Sequence, residues 1–197
     1  MAKRAYSSPT RAAAAAAKRE AVVTKAEQLL READDAQAVS MESVAEAAGL
    51  TRLTIYKQFG SRRGLLEAVF DRRAAVGGLS RIPEAMADSD PRRALNRLIE
   101  IFCAFWASEP AVGRLQRIAA ADPEFAEAID ARNERRRHAI DVLMGRLGRE
   151  RAGREDLVDL VFTLTSYATF HSLKKNRSDT EVLKLIKSTC SAILESR

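Results

Sequence analysis

Between Leu95 and Trp106 the apolar residues fall at Leu95, Leu98, Ile99, Phe102, Phe105 and Trp106, the three-and-four rhythm of a helix with one buried face. Asp90-Pro91 opens this helix, with proline at the favoured first position, and Pro110 closes it. A shorter helix is expected over 112–120, and a long one runs from Asp122-Pro123 to about Gly148. The charged stretch Arg132 to Arg137 inside the long helix reads as a solvated face. Further on the pattern changes. A helix over 154–175 carries Leu157, Val158, Leu160, Val161, Phe162, Leu164, Tyr167, Ala168 and Phe170 nearly all round. Another over 180–196 carries Val182, Leu183, Leu185, Ile186, Cys190, Ala192, Ile193 and Leu194. Helices apolar on most sides must be buried on most sides, and in a small soluble domain the second side needs a partner chain. The pattern therefore predicts a homodimer through a four-helix bundle, with Val158, Phe162, Leu185 and Ala192 as interface candidates. No strand-like alternation or internal repeat is visible, so the fold class is all-α.

Upstream, the stretch SMESVAEAAGLTRLTIYKQFGSRRGLLEAVF from Ser40 to Phe70 spells two short helices around a glycine turn, then a third with a basic start. Ser40 is placed to cap the first, although Ser43 stands where a reciprocal Glu or Gln would complete a capping box. Val44, Ala45 and Ala48 share a face, and small Ala45 allows a second helix to cross closely. Gly49 suits the left-handed turn, and Thr51 caps the next helix with Leu50 and Ile55 as a hydrophobic staple. In that second helix, over 52–59, Ile55 and Phe59 point inward. This leaves Leu53, Thr54, Tyr56, Lys57 and Gln58 outside, with Arg52 free to reach from the first turn. Arg and Lys can hydrogen-bond guanine, Gln can pair adenine, and Thr or Leu methyls can meet the thymine methyl. Between Thr51 and Arg63 there are four basic residues and no acidic one, which suits a phosphate surface. Ser61 caps the third helix, and Arg62 and Arg63 in its first turn reinforce the dipole's preference for anions. Together these features describe a helix-turn-helix, a device that lays a helix in the DNA major groove.

On these residues, VAEAAGLTRLTIYKQFGSRRGLLEAVF from Val44 to Phe70 and the helix before them from Lys18 to Ala33, the chain resembles the tetracycline-repressor (TetR) family of bacterial regulators. The family's small-Gly-apolar turn is matched by Ala48-Gly49-Leu50 and its recognition signature by Ile55-Tyr56-Lys57-Gln58-Phe59. Ser61-Arg62 and Leu65-Leu66 match the opening of its next helix. Two departures stand out: Leu30 and Asp34-Asp35 replace the usual Phe and Gly near the end of the first helix, and Gly64 sits in a first turn where a better helix former is usual. The resemblance covers about the first third of the chain. It implies Tyr56 and Arg62 on phosphates, with Thr51, Arg52, Thr54 and Lys57 near bases or backbone, and the same bundle dimer. It also implies a ligand cavity among the C-terminal helices, whose occupant alters the spacing of the DNA-binding heads. Phe102, Phe105, Trp106, Met144, Phe162, Tyr167 and Phe170 are the residues able to line such a cavity; for any one of them plain core packing is the simpler role. Their chemistry suggests a small apolar or aromatic ligand. His138 and His171 are better read as partly exposed helical histidines.

The net charge is +6, and residues 1–73 carry 13 basic against 9 acidic residues, so the positive excess concentrates on the shorter, N-terminal part. The expected organisation is a flexible basic arm over 1–17, a helix-turn-helix DNA-binding domain over 18–73, and a helical ligand-binding and dimerisation domain over 74–197. The Ala-rich arm, with Lys3, Arg4 and Arg11 and no acid, reads equally as a minor-groove contact or a plain tail. No apolar run approaches the roughly 18–20 residues of a membrane helix. Cys103 and Cys190, each in an apolar helical pattern, read as buried reduced thiols of a cytoplasmic protein. Two histidines, two isolated cysteines and no Gly-rich phosphate loop offer nothing from which to build an enzyme site, a metal centre or a cofactor site. The residues predict a dimeric regulator on double-stranded DNA, and the resemblance implies a transcriptional repressor released from a palindromic operator by a small ligand. Ser40, Thr51, Arg52, Leu53, Thr54, Tyr56, Lys57, Gln58 and Arg62 form its DNA surface.

Overall fold

A computed structural model describes residues 9–32, 39–108, 110–148 and 151–195. The described residues contain helices and turns and no strand. The chain divides between Arg72 and Arg73 into two compact units.

The first unit contains α1 (Pro9–Glu32), α2 (Met41–Ala47), α3 (Arg52–Phe59) and the larger part of α4 (Arg62–Val76). Helix α1 starts well inside the segment expected to be a flexible arm. Residues 12–17 are all alanine, the best helix former, and they extend the helix in front of its core-facing turns. Residues 1–8 of that arm, and the Asp34-Asp35 pair, lie outside the described residues. The core draws Val22, Ala26 and Leu30 from α1, Val44 and Ala45 from α2, Ile55 and Phe59 from α3, and Leu65, Leu66 and Val69 from α4. One carboxylate is buried with them. Glu27, 3% exposed, accepts from Arg31 at 2.5 Å and from Arg72 Nε at 2.9 Å, while Arg72 also pairs with Glu20. A buried charge without partners is costly, so this ion cluster fixes α1 against α4 only because both arginines reach it.

The second unit continues through a 3₁₀ turn at Leu79–Arg81, α5 (Ile82–Met86), α6 (Pro91–Ala107), α7 (Pro110–Ala121), α8 (Pro123–Arg146), α9 (Arg151–Leu164), α10 (Tyr167–Lys174) and α11 (Asp179–Glu195). Helix α6 is central, packing against α5, α8, α10 and α11, and its apolar stripe from Leu95 to Trp106 is buried. Both Asp-Pro starts behave as read. Asp90 Oδ1 accepts from the N–H of Arg92 and Arg93, and Asp122 Oδ1 accepts from the N–H of Phe125 at 3.2 Å.

Two expectations need correction here. The helix expected over 154–175 is two helices, α9 and α10, broken at Thr165-Ser166. Thr165 turns its hydroxyl back onto the Val161 carbonyl at 2.8 Å, and Ser166 is extended (φ −77°, ψ 156°) and caps α10 through the N–H of Thr169. The "all-round" apolar helices are also more one-sided than their sequences suggest. On α11 Val182, Ile186, Cys190 and Leu194, four apart, are buried, while Leu185 and Ala192 are exposed; on α9 Leu160 is exposed. Val158, expected at a subunit interface, is buried inside its own chain.

Candidate nucleic-acid interface and core cavity

The helix-turn-helix is assembled from local hydrogen bonds. Ser40 Oγ accepts from the Ser43 N–H and Ser43 Oγ accepts from the Ser40 N–H, both at 3.0 Å. The capping box expected to be incomplete is therefore closed, because a serine hydroxyl in the third position reaches back as a glutamate would. Gly49 takes the left-handed turn at φ +64°, and the Leu50 N–H donates to the Ala45 carbonyl at 2.9 Å. Thr51 Oγ1 accepts from the Thr54 N–H at 3.3 Å and lies 2.9 Å from Thr54 Oγ1, so these two hydroxyls close the first turn of α3 together.

With Ile55 and Phe59 buried, α3 turns Arg52, Leu53, Tyr56 and Lys57 to solvent. Leu53 is 61% and Tyr56 58% exposed, large apolar surfaces held outside a small helical unit whose core is already full. Two residues expected on this surface are placed otherwise. Gln58 is half-buried with its Oε1 enclosed and without a donor, so it faces the unit rather than a base. Arg62 donates Nε to the Val39 carbonyl at 2.8 Å, tying the residue before the Ser40 cap to α4. Arg19 went unrecognised in the sequence. Its Nη1 donates to the Gln58 carbonyl at 2.6 Å, and its guanidinium lies 4.1 Å over the Phe59 ring. It caps the last turn of α3 with a cation, where the helix dipole favours one. Its basic charge alone could not have distinguished it from the other residues of a basic segment.

Within the second unit, a cavity of about 560 Å³ lies among α6, α7, α8, α9 and α10. Trp106, Phe162 and Tyr167 form its apolar wall; the Trp106 and Tyr167 rings meet edge to face at 5.7 Å. Its polar residues include Arg117, Arg136, His171 and Lys175. Of the other aromatic and apolar candidates, Phe102, Phe105, Met144 and Phe170 are buried core and do not line it. His171, expected as a partly exposed helical histidine, stacks on Tyr167 at 5.4 Å at the cavity's edge.

Arg136 departs most from its reading as part of a solvated face: it is 6% exposed. It donates Nη1 to the Thr165 carbonyl at 2.6 Å, the same oxygen that accepts from Trp106 Nε1 at 2.9 Å. The carbonyl is available because α9 ends there, and helix ends leave such acceptors unpaired. The guanidinium lies 4.0 Å over the Phe162 ring, and its Nε is buried with no acceptor. Burial pushes its pKa down to about 10, which still leaves it a cation at neutral pH.

The geometry defines an all-helical protein with a helix-turn-helix unit and a second helical unit that carries a cavity open to solvent. Residues 23–69 match the family of bacterial regulatory proteins of the tetR type. The chain is 35% identical over 112 residues to the HTH-type transcriptional regulator EthR of Mycolicibacterium smegmatis, an alignment covering 55% of this chain and 51% of that protein. It thus spans about half the length of that curated relative. The fold is shared with a TetR transcription regulator from Haloarcula marismortui, with 17% identity, TM-score 0.68, and coverage of 92% of this chain and 98% of that one. It is shared also with a transcriptional regulator from Saccharomonospora viridis in complex with choline, with 15% identity, TM-score 0.64, and coverage of 91% and 96%. Over residues 23–69 the chain thus carries the DNA-binding domain of the tetR family of bacterial regulatory proteins, on a fold shared along most of its length with regulators of that type.

Proposed function

We propose that the protein is a sequence-specific DNA-binding transcriptional regulator, a repressor released from its operator by a small molecule held in the second unit. The observation that carries this reading is the solvent-facing side of α3. It offers Arg52, Leu53, Tyr56 and Lys57 on a helix capped by Thr51 and anchored by Ile55 and Phe59. Arg52 and Lys57 supply base or phosphate contacts, Leu53 and the half-buried Thr54 supply methyls for thymine, and Tyr56 donates to phosphate. Ser40 and Arg62 act differently from Tyr56: they set the start of α2, and so the seating of α3. A two-fold homodimer, with Leu185 and Ala192 among its contact residues, would present two such helices to a pseudo-palindrome. Its half-sites would lie on the order of 34–36 Å apart. That a regulator of the same fold forms a complex with choline supports a small-molecule role for this chain.

Selection of bound duplexes from random DNA, with purified protein at physiological salt, tests this reading. Recovery of a palindrome is the expected result. Recovery of no motif, with protein that still binds DNA in a strongly salt-dependent way, would replace it with sequence-independent binding.

A further inference from the structure

We propose that the cavity beside Arg136 takes an anionic ligand, a small organic carboxylate on a flat apolar body. This inference rests on the ligand-binding half of the reading above and specifies its chemistry.

Three observations carry it. First, Arg136 is a cation buried in a protein interior, and no carboxylate among the described residues pairs with it. Among the described residues its acceptors are the Thr165 carbonyl and hydroxyl, both on Nη1, so most of a five-donor guanidinium is unused there and Nε has no acceptor. Buried cations are normally paired because an unpaired one costs so much, and beside a cavity a bound anion can supply the pairing that the chain does not. Second, the remaining charged groups of the cavity share that sign. Arg117 and Lys175 line it without a hydrogen-bond or ion-pair partner among the described residues, and no Asp or Glu does. A pocket lined by charges of this sign repels cations and concentrates anions. Third, the cavity's shape and walls fit a flat body. Trp106, Phe162 and Tyr167 present rings, and a volume of about 560 Å³ is that of a site for a small organic molecule.

Arg136 is also held at a fixed angle. The Phe162 ring lies under its guanidinium plane, and Thr165 anchors one end. Arg136 lines the cavity with its Nε unpaired, and the planar fork of a guanidinium matches a carboxylate better than it matches a neutral carbonyl.

The test uses the full chain without DNA and three probes of one shape: 2-naphthoate, 2-naphthamide and 2-naphthylmethylammonium. Binding is read by Trp106 fluorescence and by the rise in melting temperature. The carboxylate should bind about tenfold or more tighter than the amide, and the ammonium weakest. Arg136→Met should abolish that preference while leaving the amide's affinity within about threefold. If Arg136→Met does not fold, the double variant Arg117→Gln/Lys175→Gln, at exposed positions, should reduce the preference in part. Equal affinity for the three probes, no saturable binding of 2-naphthoate by about millimolar concentration, or a preference that survives Arg136→Met overturns the proposal. Because no DNA is present, this result is independent of the operator selection. A carboxylate that binds through Arg136 yet never alters operator affinity leaves this site intact and defeats only ligand-controlled release.

Discussion

Gly64 is the position at which one added methyl group should do most damage. It occupies the first turn of α4, where sequence preference alone would favour alanine by about 1 kcal/mol. An ideal Cβ built there would lie 2.1 Å from the Phe59 carbonyl oxygen. Ordinary carbon–oxygen contacts begin at about 3.3 Å, so the overlap is roughly 1 Å. The obstructing atom belongs to the backbone at the end of α3, next to Gly60 in its left-handed turn at φ +74°, and no rotamer change relieves it. Relief requires the last turn of α3 to move away from α4. Overpacking of this kind costs about 3 kcal/mol, and the helix-forming gain offsets about a third of it. Gly64→Ala should therefore destabilise the first unit by about 2 kcal/mol, a fall of roughly 10 °C for a unit of this size. The protein's single tryptophan, Trp106, lies in the second unit, so its fluorescence follows that unit while far-ultraviolet circular dichroism follows both. The expected result is an early circular-dichroism transition with little change in the tryptophan transition. A circular-dichroism melt that matches or exceeds the parent would refute the steric argument.

Three other outcomes follow from the packing. Glu27→Gln removes the buried charge that joins Arg31 and Arg72 and should cost the first unit about 1–2 kcal/mol in the same circular-dichroism melt; an unmoved transition would show that the cluster contributes nothing net. Gly113→Ala places a Cβ 2.3 Å from the Tyr167 hydroxyl oxygen, at the far end of a movable side chain. The ring should swing within the cavity, with stability altered by no more than about 1 kcal/mol. 2-Naphthoate binding should weaken several-fold, and unchanged binding would mean that Tyr167 does not shape the site. Burial holds the Cys103 thiol protonated up to about 12 and the Cys190 thiol up to about 11, against an ordinary value of 9.0. The folded chain keeps these protons to higher pH than the unfolded chain does. Their contribution is thus full below pH 9.0 and falls as pH rises towards about 11 and 12. Stability should decline across that range, and iodoacetamide should label both thiols only in denaturant; rapid labelling in native buffer would contradict the burial.

The parts of this protein that were legible in its sequence are those set by neighbours along the chain. The Asp90-Pro91 and Asp122-Pro123 helix starts, the Gly49 turn, the Thr51 cap and the inward pair Ile55 and Phe59 each depend on residues within about a turn of one another, and the structure places each as read. The errors lie where distant elements decide. Gln58 reads as outward-facing on an isolated α3 until α1 is laid beside it and Arg19 takes its carbonyl. Arg62 reads as free until the Val39 carbonyl, 23 residues earlier, is brought under it. Val158 reads as an interface residue for the same reason. Val158 has its burial inside the chain, supplied by helices the local pattern does not name.

Arg136 is buried although it lies in a charged run, and the sequence carries a sign of it. The inward face of α8 runs through Phe125, Ile129, Ile140 and Leu143, and Arg136 falls in phase with it, seven residues after Ile129 and four before Ile140. Read as part of a run of like residues from Arg132 to Arg137, it is one charge among several on a wet face. By helical period it is a cation in the core stripe, a placement that a stable fold tolerates only with compensation. The compensation visible in the chain is partial: one carbonyl released by the break between α9 and α10, one hydroxyl, and an aromatic face. The break is itself the other local irregularity that the sequence pattern hid, since the apolar rhythm passes through Thr165-Ser166 without interruption. Two departures from local preference thus meet at one oxygen, on the edge of the cavity that contains the unpaired donors. A chain selected for stability alone would place leucine at 136 and continue the helix through 165. A group bound there would answer both departures at once, and the deficit at Arg136 specifies its charge as negative.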